Sequence, residues 1–366
     1  MKHIMYSEPI MSISGVRGII GMSLTSEIAL KLAETFAGYC GRGRIVVGRD
    51  TRISGEFLHN IVVGGLVGSG CHVVDLGICG SPTTQIMVKK LKADGGIMIT
   101  ASHNPIEWNG LKFIHRTGYY LDARQIMDYI NLYKTGRCSH AGYDNIKKVK
   151  HYPEAVNVHI AKVLQIPFLN IKALKRRKFK VVLDAVCGVG SIMSLKLLGA
   201  LGCEIIPLNC EPSGIFPHKP EPVPENLKEL SRKVKFHRAD IGFANDPDND
   251  RLAIVSEKGK AIGEEYTLAM AVDFVLSKNP GNVFTNYSTS RMIEDIAEKY
   301  GCKTGRTAVG EVNVTKKMLE GKGVIGGEGN GGVMLPFVHT ARDALTGMAL
   351  ILQYLLEQNC SLSDIV

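Results

Sequence analysis

The chain has 366 residues, 45% of them hydrophobic and 22% charged, with 40 glycines and a formal net charge of +9. That length exceeds one ordinary core and implies two or three globular domains, while no run of eighteen apolar residues offers a membrane span. Nine cysteines, an odd count without a C-x-x-C pair, argue against a disulfide framework or zinc site and for a reducing, cytoplasmic compartment.

The N-terminus, MKHIMYSEPIMSISG, is too polar for a signal peptide. RIVVGRD (44–50) reads as a β-branched strand, followed by the helical pattern GEFLHNIVVGGLVGSG and a further strand, CHVVDLG. A strand ending IMIT leads into TASHNP (100–105). A polar, glycine-containing stretch around 137–151 marks a first boundary. The basic run KALKRRKF (172–179) lacks interleaved aromatics and matches no nucleic-acid motif, so it is read as a solvated linker face and no nucleic-acid partner is expected. KVVLDAV (180–186), SIMSLKLLGALG and CEIIPLN repeat the strand–helix–strand order. DIGFAN and LAIVSE read as strands, the latter within a hairpin RLAIVSEKGKAIG, and a second boundary falls near 257–263. NVFTNYS and RMIEDIAEKYG form a third strand–helix pair, and a long apolar helix covers 344–357. Each of the three paired helices closes on a glycine suited to a C-cap. The alternation implies parallel α/β sheets repeated about three times, with domains expected at 1–150, 151–257 and 258–366.

Three stretches carry chemistry. Ser102 sits at a strand's C-terminal tip, where open α/β sheets bind ligands, and His103 lies beside it. A nucleophile with an adjacent base and a serine cap ahead of an Asn-Pro turn are both open readings; no G-x-S-x-G elbow exists. DPDNDR (246–251) sets Asp246, Asp248 and Asp250 at alternate positions, a crowding of carboxylates that calls for a cation. Hard oxygen ligands suit Mg²⁺ or Ca²⁺, and the adjacent Arg251 suits phosphoryl chemistry. An EF-hand fails because Arg251 holds the position that demands glycine and the flanks read as strands; a structural aspartate turn stays open. GGEGNGG (326–332) surrounds Glu328 and Asn330 with five glycines, which suits backbone close to a sugar's hydroxyls or a plain hairpin tip. No P-loop or complete dinucleotide fingerprint is present.

Taken in order, TASHNP, DPDNDR and the GGE loop resemble the α-D-phosphohexomutase family. The resemblance continues through SGVRG (14–18), GRDTRISG (48–55), TAVGEV (307–312) and ARDAL (341–345), and covers essentially the whole chain. It implies three similar α/β domains with mixed, mostly parallel sheets. It further implies a phosphorylated Ser102, a Mg²⁺ site completed by Asp246, Asp248 and Asp250, proton transfer by His103 and Lys112, and charge stabilisation by Arg17 and Arg251. Glu328 and Asn330 would hold sugar hydroxyls, with Gly310 and Glu311 in the loop that distinguishes the two sugar orientations. The substrate would be a hexose phosphate, converted through a bisphosphate, with a glucose-1,6-bisphosphate-type activator phosphorylating Ser102. GGEGNGG in place of GGE-x-SGH resembles mutases of glucosamine phosphate, with phosphoglucomutase or phosphomannomutase as the alternative. Relatives dimerise through the first domain, so a homodimer is allowed for. The family's fourth domain grips the remote phosphate with an R-x-S-G-T loop; no SGT occurs in this chain, which is therefore expected to be a weak mutase or a sugar-phosphate-binding protein with little turnover.

Overall fold

The computed structural model describes residues 8–136 and 140–366. Part of the first boundary stretch (137–139), Cys138 and residues 1–7 lie outside them. The chain forms two compact units, Met1–Val156 with Ser213–Ile215, and Asn157–Pro212 with Phe216–Val366.

The first unit is built on seven strands, β1 (Ile10–Ser12), β2 (Gly15–Ile19), β3 (Arg44–Arg49), β4 (His72–Ile78), β5 (Gly95–Ile99), β6 (Trp108–His115) and β7 (Val149–His151), in the order β1-β2-β6-β5-β3-β4-β7. β3, β4, β5 and β7 run parallel, while β6 lies antiparallel to β5 and β2. Helices Ile53–Gly68 and Ser81–Lys90 carry the chain between the parallel strands. All five residues of β5 are buried, as a strand covered on both faces should be. Register places the ends of β3 and β5 side by side, Arg49 opposite Ile99, so the loops that follow them meet. Phe36, Phe113 and Tyr129 fill the core beneath, with the Phe113 and Tyr129 ring centres 4.4 Å apart.

The second unit holds two four-stranded sheets. In the first, β8 (Lys180–Asp184), β9 (Glu204–Leu208), β10 (Ile241–Asn245) and β11 (Leu252–Ser256) order as β11-β10-β8-β9, and only β10 and β11 pair antiparallel. In the second, β12 (Val283–Asn286), β13 (Thr304–Thr307), β14 (Ile325–Glu328) and β15 (Gly332–Met334) order as β13-β12-β14-β15. Helix Ala344–Gln358 is buried from Ala344 through Leu355, and Gln353 accepts from the Asn170 amide, tying the two sheet layers into one unit.

The three expected strand–helix pairs form, and the glycines after them, Gly70, Gly202 and Gly301, adopt the left-handed φ of +91°, +81° and +64° that ends a helix. The predicted hairpin at 251–263 forms as well: the Ser256 amide donates to the Lys260 carbonyl (2.9 Å) and the Ile262 amide to the Ile254 carbonyl (3.1 Å), on either side of the antiparallel Val255–Ala261 bridge. Its second arm is short because Gly263, at φ +90°, leads into helix Glu264–Lys278, and the other edge of β11 pairs with β10. No disulfide joins the described cysteines, and no helix among the described residues is long and apolar enough to cross a membrane.

Candidate active site

In the first unit, β5 delivers Thr100 to Pro105 as a loop folded around one guanidinium. Fully buried Arg52 donates to the carbonyls of Pro105 (2.7 Å), Trp108 (2.9 Å), Ser102 (2.6 Å) and Asn104 (2.6 Å), and its Nε lies 3.3 Å from Asp50. Asp50 in turn accepts from Thr100 Oγ1 (2.6 Å), and that hydroxyl accepts from the Ser102 amide (2.9 Å). The clamp holds Ser102 at φ +50°, a conformation that costs a non-glycine residue about 1–3 kcal/mol and gathers at functional sites. His103 Nδ1 stands 3.4 Å from Ser102 Oγ, just outside good proton-transfer distance. Arg17 donates to Asn104 Oδ1 (3.2 Å), which joins SGVRG to the serine loop. Lys112, on β6 opposite Met98, is buried and donates to Ser81 Oγ (3.3 Å).

In the second unit, the turn between β10 and β11 is the aspartate loop, closed by the pair Asn245–Leu252. Asp246 Oδ1 accepts from the amides of Asp250 and Arg251, both at 3.1 Å, and Asn249 takes φ +60° at the bend. The flanking strands rule out the EF-hand. Asp246, Asp248 and Asp250 are all buried, with one oxygen of each within 4.8 Å of the others. Burial first, then the Asp250 and Asp248 charges, push the Asp246 carboxyl well above its ordinary range, with Arg251 opposing. Three buried carboxylates without sulfur or imidazole fit a hard divalent cation, whose charge would relieve this repulsion. The loop after β8 and the helix that follows it, Gly190–Ala200, buttress the turn: the Val189 amide donates to Pro247 O (3.0 Å), and Ser194 Oγ on the helix donates to Asn245 Oδ1 (2.9 Å). Arg251 Nη1 reaches Glu221 at 3.4 Å, and its Nε lies 3.9 Å from Asp250.

The glycine-rich loop is the tip of the β14–β15 hairpin. Glu328 Oε1 accepts from Asn286 Nδ2 (2.7 Å) and the Gly310 amide (3.0 Å), while Asn330 Nδ2 lies 3.4 Å from Oε2. Burial works to raise the Glu328 carboxyl, but the Arg342 charge, then the Asn286 and Gly310 bonds, outweigh it and hold it below its ordinary value. Arg342 is the hub: its Nη1 reaches Glu328 Oε2 (2.9 Å), its Nε Glu311 Oε2 (3.1 Å) and its Nη2 Asp250 Oδ2 (2.6 Å). The neighbouring Asp343 caps helix Ala344–Gln358 and pairs with His159 at 3.0 Å.

Within each unit, then, the geometry gathers the residues expected from sequence: Arg17, Ser102 and His103 around one loop, the three aspartates with Arg251 around another, and Gly310, Glu311, Glu328 and Asn330 around Arg342. Sequence reading assigned no role to Arg52 or Arg342. The strings GRDTRISG and ARDAL pointed to their segments, but a charged residue's burial is not visible in its neighbours along the chain.

Sequence profiles described as phosphoglucomutase/phosphomannomutase α/β/α domains I, II and III match residues 10–135, 157–259 and 263–366. A Thermococcus kodakarensis protein named phosphoglucomutase/phosphomannomutase is 37% identical over 365 residues, spanning 96% of this chain and 78% of its own length. A Sulfurisphaera tokodaii protein named phosphoglucosamine/phosphogalactosamine mutase is 32% identical over 357 residues, spanning 96% of this chain and 78% of its own. The crystal structure of a phosphoglucomutase/phosphomannomutase family protein from Burkholderia thailandensis superposes with a TM-score of 0.83 at 28% identity, covering 95% of this chain and 78% of that one.

Proposed function

The chain belongs to the phosphoglucomutase/phosphomannomutase family of intramolecular phosphotransferases, and on that premise we propose that it moves phosphate between the 6- and 1-positions of a hexose phosphate through a phosphoserine at Ser102. The observation that carries the reading is the buried triad of Asp246, Asp248 and Asp250, a cluster whose like charges call for a hard cation. Mg²⁺ held there would neutralise charge on the transferring phosphoryl group.

The remaining work falls to the chain's own residues. In the first transfer the P–O bond to Ser102 Oγ breaks as a new P–O bond forms to the free sugar hydroxyl. That hydroxyl's proton passes to a base, and the Ser102 oxygen is left to be reprotonated. His103 and Lys112 are the candidate proton carriers. Arg17 and Arg251 share the charge of the moving group. The resulting bisphosphate turns over, and its other phosphoryl returns to Ser102 by the same bond changes in reverse. Glu328 and Asn330 hold sugar hydroxyls, and Gly310 and Glu311 select between the two orientations. A glucose-1,6-bisphosphate-type activator charges Ser102 at the start.

Glucosamine 6-phosphate is the preferred substrate in this reading, supported by the GGEGNGG loop and by the amino-sugar mutase name of the Sulfurisphaera relative. The Thermococcus relative's name supports glucose or mannose phosphate as the second reading.

The test is intact mass before and after glucose-1,6-bisphosphate with Mg²⁺, in wild type and Ser102→Ala, followed by ³¹P spectra with glucosamine, glucose and mannose 6-phosphates. A phosphate-sized increment lost in the variant, and turnover of the amino sugar, are expected. An increment that survives Ser102→Ala would refute the phosphoserine; turnover of glucose or mannose phosphate alone would refute the amino-sugar preference.

A further inference from the structure

We propose that Arg342 is a positioning residue that locks a metal-carrying aspartate to both sugar-facing loops, so that cation loading and sugar seating depend on one side chain. The inference rests on the metal and sugar roles proposed above, and adds the device that ties them together.

The geometry is specific to arginine. Its three nitrogens point in three directions, and each meets a carboxylate from a different loop: Asp250 in the aspartate turn at 2.6 Å, Glu328 on the hairpin at 2.9 Å, and Glu311 at the start of helix Glu311–Glu320 at 3.1 Å. A planar fork can serve three acceptors in fixed directions; a lysine ammonium is a point charge on a flexible stem and cannot hold the same three loops at once. Asp250 gives Oδ2 to Arg342, so the guanidinium sets the rotation of that carboxylate and with it the direction its other oxygen presents to a cation. The same guanidinium fixes Glu328 Oε2, so a displacement of Arg342 moves both ligand sets together.

The glycines of the hairpin complete the device. A Cβ on Gly332 would stand 2.3 Å from Arg342 Cδ, so that position is bare because the arginine stem lies against it. Gly331, at φ +86°, would put a Cβ 2.3 Å from the carbonyl of Leu252, the first residue after the aspartate turn, and its own carbonyl accepts from the Leu252 amide at 3.1 Å. The hairpin tip is therefore seated on β11 and on Arg342, rather than left as a free flap. The guanidinium engages one acid from each of the three loops for which metal or substrate roles are proposed above.

Arg342→Ala strands three buried carboxylates and invites misfolding, so Arg342→Lys and Gly332→Ala are the informative variants. The first keeps the charge and loses the fork; the second keeps the arginine and pushes its stem. Calorimetric titration with Mg²⁺ and steady-state kinetics with glucosamine 6-phosphate should show Mg²⁺ affinity down by roughly 10-fold or more and KM raised in both variants, with kcat less affected. The double variant should add little to either single, since both act through the same guanidinium. A thermal melt confirms that each variant is folded at the assay temperature. Variants that bind Mg²⁺ as wild type does, or lose Mg²⁺ affinity with KM unchanged, would overturn the coupling while leaving the metal site standing. A wild-type chain that binds no Mg²⁺ would overturn the metal-site reading and the coupling with it.

Discussion

Arg52→Ala removes the guanidinium on which the serine loop is folded. Four carbonyls, of Ser102, Asn104, Pro105 and Trp108, lose a charged donor inside the protein, and Asp50 loses its buried counterion. Hydrogen bonds to charged groups contribute about 1.5–3 kcal/mol each, but four from one group do not add, because the loop relaxes and water enters. Removing one partner of a buried ion pair by itself costs about 3–5 kcal/mol. We therefore expect a loss of about 4 kcal/mol or more, roughly 8–16 °C in Tm at about 2–4 °C per kcal/mol for a unit of this size. Arg52→Lys keeps the charge but not the fork, and should lose about half as much. The chain's single tryptophan, Trp108, supplies one of the four carbonyls, so its fluorescence during urea unfolding reports on this unit alone. Phosphorylation of Ser102 should fall in both variants, because the left-handed backbone at Ser102 is held by the same bonds. An Arg52→Ala protein within about 1 kcal/mol of wild type, phosphorylated at the normal rate, would refute the clamp.

Other outcomes follow from the same structure. Mg²⁺ at a hundred times its dissociation constant should stabilise the protein by about 2.7 kcal/mol in thermal melts, and Asp248→Asn should abolish the shift. Gly331→Ala should cost more than about 2 kcal/mol by chemical denaturation, since it combines a positive φ with a clash against the Leu252 carbonyl; an unchanged midpoint would disprove the seating of the hairpin. His218 bonds Asp184 at 3.0 Å; burial opposes the charged ring, yet the Asp184 bond raises its pKa above 6.5. A raised value contributes stability that is complete below pH 6.5 and is lost as pH climbs through the folded value. The Tm difference between wild type and His218→Gln should accordingly shrink above pH 6.5, and a difference that grows would show the pair to be wrongly signed.

Much of this was legible in the chain because it is local. The β-branched runs at 44–50, 180–186 and 282–288 encode strands by side-chain period, and a trailing glycine encodes a helix end by its freedom at positive φ. Three aspartates at alternate positions repel one another in any fold that buries them, so the buried acidic triad now proposed as a cation site could be singled out before any coordinates. The hairpin at 251–263 was readable for the same reason, and its second arm is short because one glycine at 263 ends the extended run and starts a helix.

Sequence alone therefore determined the α/β class, the order of the loops and the residue types that could do the chemistry, since each depends on neighbours a few positions away. Only the tertiary structure decided which cation serves which loop. Arg52 meets a carbonyl 56 residues further along the chain and Arg342 meets a carboxylate 92 residues before it. Parallel register of β3 and β5 brings the first pair of loops side by side, and the packing of two separate sheets brings the second together; no local pattern encodes either meeting. Two glycines of GGEGNGG carry the same lesson: in sequence they suit backbone close to a sugar or a plain hairpin tip, and in the fold Gly332 and Gly331 are bare because an arginine stem and a strand carbonyl occupy the space a side chain would need.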